Sequence, residues 1–203
     1  DYVVSDLNPP MLERAQSQQN PDARITWQAA DALDLPFEDD CFDVVLCQFG
    51  AMFFPNKAKG FSEARRVLKR GGRFLFNVWD KIEENEFADV VVNAASELFD
   101  DPPRFLARTP HGYGDPDQVL RDLGAAGFDL VDVHTITAES RAETPKIPAI
   151  AFCQGTPMRN EIEARDASRL DEVTAHAARR LEDRFGTGPI AGKIQAHVIE
   201  AVA

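Results

Sequence analysis

Two aspartates carry the first chemical signal in the chain. Asp6 ends the apolar run Tyr2-Val3-Val4, and Asp31 follows "ARITWQAA", rich in β-branched and aromatic residues, so each acid falls at the carboxyl end of a predicted strand. In open α/β sheets ligands bind outside those ends. A carboxylate placed there can accept hydrogen bonds from the hydroxyls of a sugar or from an adenine amino group, while neighbouring backbone supplies donors. Asp6 fits the first role and Asp31 the second. The segment Cys47-Gln48-Phe49 and Asp80 also close predicted strands, which puts four chemically useful positions on one edge.

Of four histidines, His134 lies in an alternating strand, His176 on a polar helix and His197 in the last strand, each with an ordinary structural reading. His111 differs. It lies with Tyr113 in "TPHGYGD", a flexible loop past the ligand edge, and is the weak candidate for a catalytic group; Phe53, His111 and Tyr113 are the weak candidates for touching a substrate. Arg159, after the Gly155-Thr156-Pro157 break, could meet a substrate acid but reads first as part of a helix–helix turn. Cys41, Cys47 and Cys153 are odd in number and lack paired ligand spacing, so neither a disulfide framework nor a metal site is expected.

The elements that must hold these groups follow a regular rhythm. After the first strand, Asn8 and Pro9 open a helix in which Met11, Leu12 and Ala15 share an apolar stripe. "CFDVVLCQFG" is apolar without alternation, the pattern of a strand buried on both faces. A helix from Asn56 carries Phe61, Ala64, Val67 and Leu68 at helical spacing, with Lys69 and Arg70 in its last turn and Gly71-Gly72 as its stop. "RFLFNVWD" is the next strand. Such alternation predicts an α/β fold, a doubly wound Rossmann-like sheet, mostly parallel with an antiparallel last strand and helices on both faces.

Beyond Asp80 the pattern predicts a helix over about 84–99, then the loop "DDPPRFLARTPHGYGD" as a lid, a helix capped by Asp115-Pro116 and closed at Gly127, and a half-exposed strand "FDLVDVHTIT". Residues 143–186 read as helical, with an amphipathic helix from about Ala167 to Phe185, before a last strand "KIQAHVIEAV". One domain over 1–203 is expected: 1–80 for the ligand edge, 81–127 as a helical and lid segment, and 143–186 as a helical insertion.

With 22 basic against 34 acidic residues in 203 and a net charge of -12, the surface disfavours nucleic acid and anionic membrane as partners. No apolar run is long enough for a membrane span. A small-molecule partner and a cytoplasmic setting are the expectations, with a homodimer left open.

"DLNPPML", "AADALDLPFEDDCFDVV" and "EARRVLKRGGRFLF" together resemble class I S-adenosylmethionine-dependent methyltransferases of the ubiquinone/menaquinone-biosynthesis type. The resemblance covers residues 1 to 80 closely and "LGAAGFDLVDV" more loosely. It implies that Asp6 holds the cofactor's ribose hydroxyls with Leu7 and Met11 packed nearby. It also implies that Asp31 takes the adenine amino group, the Ala32 amide faces the ring nitrogen, Leu33 packs beside the ring, and Gln48 and Phe49 lie near the methionine part. Methyl transfer to an O-, C- or N-nucleophile of a small molecule, aromatic acceptors included, is the activity so implied.

The family's Gly-rich turn after its first strand is absent from these 203 residues. At least one βα unit, on the order of 30 residues or more, is therefore expected before Asp1. Two rivals stay open: a nicotinamide-dependent oxidoreductase, since Asp6 could hold an NAD ribose, and a methyltransferase-like binding module without activity.

Overall fold

Strand and helix alternate from the start in the computed structural model, which describes residues 1–203. The first unit is β1 (Tyr2–Asp6), α1 (Pro9–Gln18) and β2 (Ile25–Ala29). Next come β3 (Phe42–Gln48), α2 (Lys57–Val67) and β4 (Leu68–Trp79), then α3 (Glu86–Ser96), the four-residue α4 (Phe105–Arg108) and α5 (Pro116–Ala125). The chain finishes with β5 (Leu130–Ala142), α6 (Lys146–Gln154), α7 (Met158–Asp166), α8 (Leu170–Phe185) and β6 (Ile190–Val202). No helix is long and apolar enough to cross a membrane.

The strands form two hydrogen-bonded groups. β1 pairs with β2 in parallel, Tyr2 opposite Ile25 and Asp6 opposite Ala29. The second group runs β3-β4-β6-β5, parallel between β3 and β4 and antiparallel where β6 meets β4 and β5. This is the expected Rossmann-like mixed sheet with its late antiparallel strand.

Two apolar cores fill the larger part. One joins the sheet to α2 and α5 through Phe61, Phe74, Phe76, Val119, Leu123 and Phe128. The other is a helical cap, where Val91, Cys153, Met158, Ile162, Val173 and Leu181 of α3, α6, α7 and α8 are fully buried. Fully burying a side chain of this kind contributes about 1.5–3 kcal/mol.

Three expectations are corrected. The apolar run of β3 is not buried on both faces: Val44 is 45% and Leu46 73% exposed, because these two side chains share one face of the strand and nothing packs over it. No residue before Ala51 is buried, so the Met11 stripe of α1 is exposed as well, with Leu12 half-buried. The helix carrying Phe61 ends at Val67, not at Gly71. Its last carbonyls are taken from outside, by the N–H groups of Asp40 on Arg66 (3.0 Å) and Cys41 on Val67 (2.9 Å), and the chain passes directly into β4.

Candidate active site

Asp6 is positioned by its own turn. Its Oδ1 accepts the Asn8 N–H at 2.7 Å, which sets the start of α1, and the second carboxylate oxygen has no protein partner. Asp31 repeats the device two residues past β2: Oδ1 accepts the Leu33 N–H at 2.9 Å and its carbonyl accepts the Asp34 N–H at 3.0 Å. The other Asp31 oxygen and the Ala32 N–H make no hydrogen bond within the chain. Both carboxylates are exposed, Ala32 and Leu33 are half-buried, and Leu7 and Met11 stand out at 69% and 59% exposure. The Ala30 N–H bonds the Asp6 carbonyl at 3.2 Å, so the two acids share one strand-end rim.

A second group forms where β3 and β4 end. Gln48 is exposed. Phe49 has φ 49°, a left-handed backbone that costs a bulky residue about 1–3 kcal/mol and that clusters at functional sites. Asn77 holds it there, its Oδ1 accepting the Phe49 N–H at 3.0 Å. The Phe49 ring stacks on Trp79 with centroids 4.2 Å apart and planes 19° apart, and Trp79 lies 6.1 Å from the His111 ring. Phe53 follows in a short turn, 52% exposed. No hydrogen bond or ion pair ties residues 1–34, and with them the Asp6–Asp31 rim, to this second group.

The expected flexible loop around His111 is corrected. His111 and Tyr113 are 8% and 7% exposed, and Phe105–Arg108 is helical. Tyr113 donates its hydroxyl to Asp122 Oδ2 at 2.7 Å, and burial, reinforced by that carboxylate, pushes its ionisation well above the usual range. That hydroxyl is engaged in holding the loop, which leaves only the ring for any contact with a ligand. The His111 N–H bonds the Leu106 carbonyl at 3.0 Å and its Nδ1 lies 2.9 Å from the Asp80 carbonyl oxygen.

Sequence reading missed the network behind this loop. Asp80 is 7% exposed and receives the Gln195 side-chain amide at 2.6 Å and the Lys81 N–H at 2.6 Å, with His197 Nε2 at 3.2 Å. Burial pushes its carboxyl up, but the bonds from Gln195 and Lys81 and the nearby His197 outweigh it and hold the group below the usual carboxylate range. Asn85, 2% exposed, bonds the Asp80 and Lys81 carbonyls. The available signal was the spacing of Gln195 and His197, two residues apart on a strand and therefore on one face. Arg159 is paired with Glu163 at 2.8 Å, the structural reading. No group of three or more His, Cys, Asp or Glu side chains is placed to hold a metal ion.

Comparison with known proteins bears on the rim. Residues 1–76 match the family model described as a methyltransferase domain. The chain is 30% identical over 151 residues to demethylmenaquinone methyltransferase of Clavibacter sepedonicus, covering 67% of this chain and 60% of that protein. It is 28% identical over 156 residues to the ubiquinone/menaquinone biosynthesis C-methyltransferase UbiE of Dinoroseobacter shibae, covering 68% and 60%. It thus spans about 60% of the length of these curated relatives. Among solved structures a protein of Bacillus halodurans C-125 superposes with a TM-score of 0.61 at 22% identity, covering 98% of this chain and 81% of that one. Phosphoethanolamine N-methyltransferase 2 of Haemonchus contortus, solved with S-adenosyl-L-methionine, gives 0.52 at 20% identity, covering 98% and 42%. At such identities the two structures share the fold.

Proposed function

We propose that the protein, whose residues 1–76 match a methyltransferase-domain model and which is related to ubiquinone/menaquinone-biosynthesis enzymes, is a class I S-adenosylmethionine-dependent methyltransferase acting on a small-molecule acceptor. The observation that carries the reading is the rim itself. Each of Asp6 and Asp31 keeps one carboxylate oxygen free while the other shapes the backbone, and the Ala32 N–H between them and Leu33 is free too.

That donor and acceptor set fits the adenosine half of S-adenosylmethionine. Asp6 would accept from the ribose hydroxyls, with Leu7 and Met11 against the sugar and base. Asp31 would accept from the adenine amino group, the Ala32 N–H would donate to the adjacent ring nitrogen, and Leu33 would cover the ring. A charged acceptor makes each such bond worth about 1.5–3 kcal/mol. For the amino-acid half the chain offers Gln48 and Phe49, and its first glycine is Gly50.

The cofactor supplies a methyl carbon bonded to a positively charged sulfur. The protein's task is then to align the acceptor's nucleophile with that carbon and to exclude water. The Phe49–Trp79 stack and Phe53 provide an apolar, flat wall for this, and the buried His111 loop closes one side. A small acceptor in a cytoplasmic protein agrees with the acidic surface.

Isothermal titration of S-adenosylhomocysteine into the protein, beside an Asp6→Ala variant, tests the reading. Micromolar-range binding that weakens roughly 10- to 100-fold in the variant is the expected result. Binding indifferent to Asp6, or a titration in which NADH binds and S-adenosylhomocysteine does not, rejects it.

A further inference from the structure

We propose that His111 is the general base of the reaction, taking a proton from the acceptor's nucleophile at Nε2. The inference rests on the methyl-transfer reading and narrows it.

The tautomer follows from the partner. Nδ1 of His111 lies 2.9 Å from a backbone carbonyl, that of Asp80, and a carbonyl oxygen only accepts, so Nδ1 carries the hydrogen. In a neutral ring that leaves the lone pair on Nε2. Nε2 has no partner in the chain, yet no buried side-chain nitrogen or oxygen is left without one, so Nε2 retains access to the surface although the residue is only 8% exposed. Burial favours the neutral ring, opposed by the Asp80 carbonyl and by the charges of Asp80 and Glu83, and the balance keeps His111 below the usual histidine range. A neutral imidazole with one nitrogen anchored and the other open is the form a general base requires.

His197 makes the contrast. Its Nε2 lies 3.2 Å from the Gly114 carbonyl and 3.2 Å from Asp80 Oδ1, both acceptors, and its Nδ1 meets the Thr135 hydroxyl at 3.0 Å. Both nitrogens are occupied. Of the two buried histidines, only His111 has a lone pair to offer, and its ring stands at the end of the aromatic row that starts at the strained Phe49. Trp79 and Phe49 give that row a flat face suited to a planar acceptor.

The step balances without a further reactant. The pair of the acceptor's O–H or C–H bond forms the new bond to the methyl carbon, the carbon–sulfur pair returns to sulfur, and the proton goes to Nε2 and from there to water.

The test uses the full chain with nitrogen-15 in its histidines. Long-range proton–nitrogen correlation at neutral pH should show His111 with Nδ1 protonated and Nε2 bare, and His197 with Nε2 protonated. Diethyl pyrocarbonate should acylate His111, located by peptide mass, and saturating S-adenosylhomocysteine should slow that acylation roughly tenfold or more. The probe 4-nitrophenol, added to the S-adenosylhomocysteine complex at a pH well below its own ionisation, where the free probe is protonated and colourless, should bind with the visible absorbance of its phenolate. His111→Gln should abolish that absorbance and keep S-adenosylhomocysteine affinity within about twofold, since the ring touches no group of the rim. A bare Nδ1, acylation indifferent to the ligand, or 4-nitrophenol that stays protonated or unbound overturns the assignment. Failure of S-adenosylhomocysteine to bind the wild-type protein overturns the methyl-transfer reading itself, and the tautomer spectrum tells the two failures apart. Should His111→Gln not fold, the tautomer and acylation measurements on the wild type still decide.

Discussion

Glu63 and Arg66, one turn apart on α2, grip the same loop together. Glu63 Oε2 accepts from Arg66 Nη2 at 2.8 Å and from the Leu35 N–H at 3.0 Å, while Arg66 donates to the Leu35 and Phe37 carbonyls at 2.9 and 2.7 Å. Lys59 adds a second cation on Glu63 Oε1 at 2.9 Å. The loop so held, Leu35-Pro36-Phe37, begins four residues after Asp31. It is the hydrogen-bonded tie that connects the strand-end rim to the buried core.

Acid should break that tie before the core melts. The Arg66 guanidinium, with Lys59 and the Leu35 N–H, holds Glu63 down from the usual 4.5 to about 2 against the opposing effect of burial. A carboxyl whose folded value is depressed stabilises fully above its unfolded value and loses that contribution as pH falls through the folded one, so the window runs from about 4.5 down to about 2. The amount is on the order of 2–3 kcal/mol. Urea titrations at pH 7 and pH 3 should show Glu63→Gln less stable than wild type at the higher pH by roughly 1–3 kcal/mol, with the gap closing at the lower. A gap as wide at pH 3 as at pH 7 would show the loss to be one of packing.

Hydrogen exchange should divide the chain at the loop. Residues 1–34 contain no buried side chain and send no hydrogen bond or ion pair to the rest, so opening the β1–α1–β2 unit uncovers little apolar surface. Its amides should exchange at least about a hundredfold faster than those of β4 and β6, whose Phe74, Val78 and Ile199 are nearly or fully buried, and mass spectrometry of the exchanging chain measures this. Saturation with S-adenosylhomocysteine should slow exchange at Asp6–Asn8 and Asp31–Leu33. Uniform protection across 1–203 would refute the division.

How much of this was legible in the sequence depended on where each signal resides. Asp6 and Asp31 were found because a strand's end and an acid are both local. The start of α2 was equally local, and Asn56 does accept the Lys59 N–H at 3.0 Å. Its end was misplaced because the groups that cap it, the Asp40 and Cys41 amides, come from a different stretch of chain, and no helix-periodic pattern reports them. The Asp80 network escaped for the same reason. Val78 faces His197 and Thr135 faces His197 only once the antiparallel register of β6 between β4 and β5 is known. The burial of His111 depends on that register as well, since its loop sits on the end of β4.

Gly114 should prove as important as any side chain in that loop. A Cβ built there would stand 2.6 Å from both the Asp80 carbonyl carbon and the Lys81 nitrogen, distances that backbone atoms cannot yield to. Gly114→Ala must therefore push the loop away from β4, breaking the Gly114 carbonyl contact with His197 and shifting His111 from the Asp80 carbonyl. A stability loss of about 1–3 kcal/mol in denaturant titration is expected. In the histidine spectrum the two rings should change together. An unchanged spectrum in Gly114→Ala would mean that the loop does not depend on this close approach.

Asp80→Asn tests whether the network under His111 is held by charge or by donor–acceptor matching. In the wild type both Asp80 oxygens accept, one from Gln195 Nε2 at 2.6 Å, and Gln195 is itself oriented because its Oε1 accepts the Thr137 hydroxyl at 2.9 Å. An asparagine with its oxygen toward the Lys81 N–H turns its amide hydrogens toward those of Gln195, two donors facing each other. Gln195 can flip to answer, and the Thr137 hydroxyl, which accepts as well as donates, keeps a bond to the flipped amide. The substitution should cost about 1–3 kcal/mol at neutral pH. The gap should narrow as pH falls from 3.8, the unfolded value, through the lower value of native Asp80, where the folded protein takes up the proton and the contribution is lost. Thr137→Val removes one partner of Gln195 in either orientation of its amide, so a double-mutant cycle read by urea titration should return a coupling within about 0.5 kcal/mol of zero. The Asp80 carbonyl that anchors His111 is untouched by either change, and the Nδ1-protonated form of His111 should survive in both. If Asp80→Asn is markedly less costly with valine at 137 than with threonine, the orientation of Gln195 sets the cost, and the negative charge beside His197 does not.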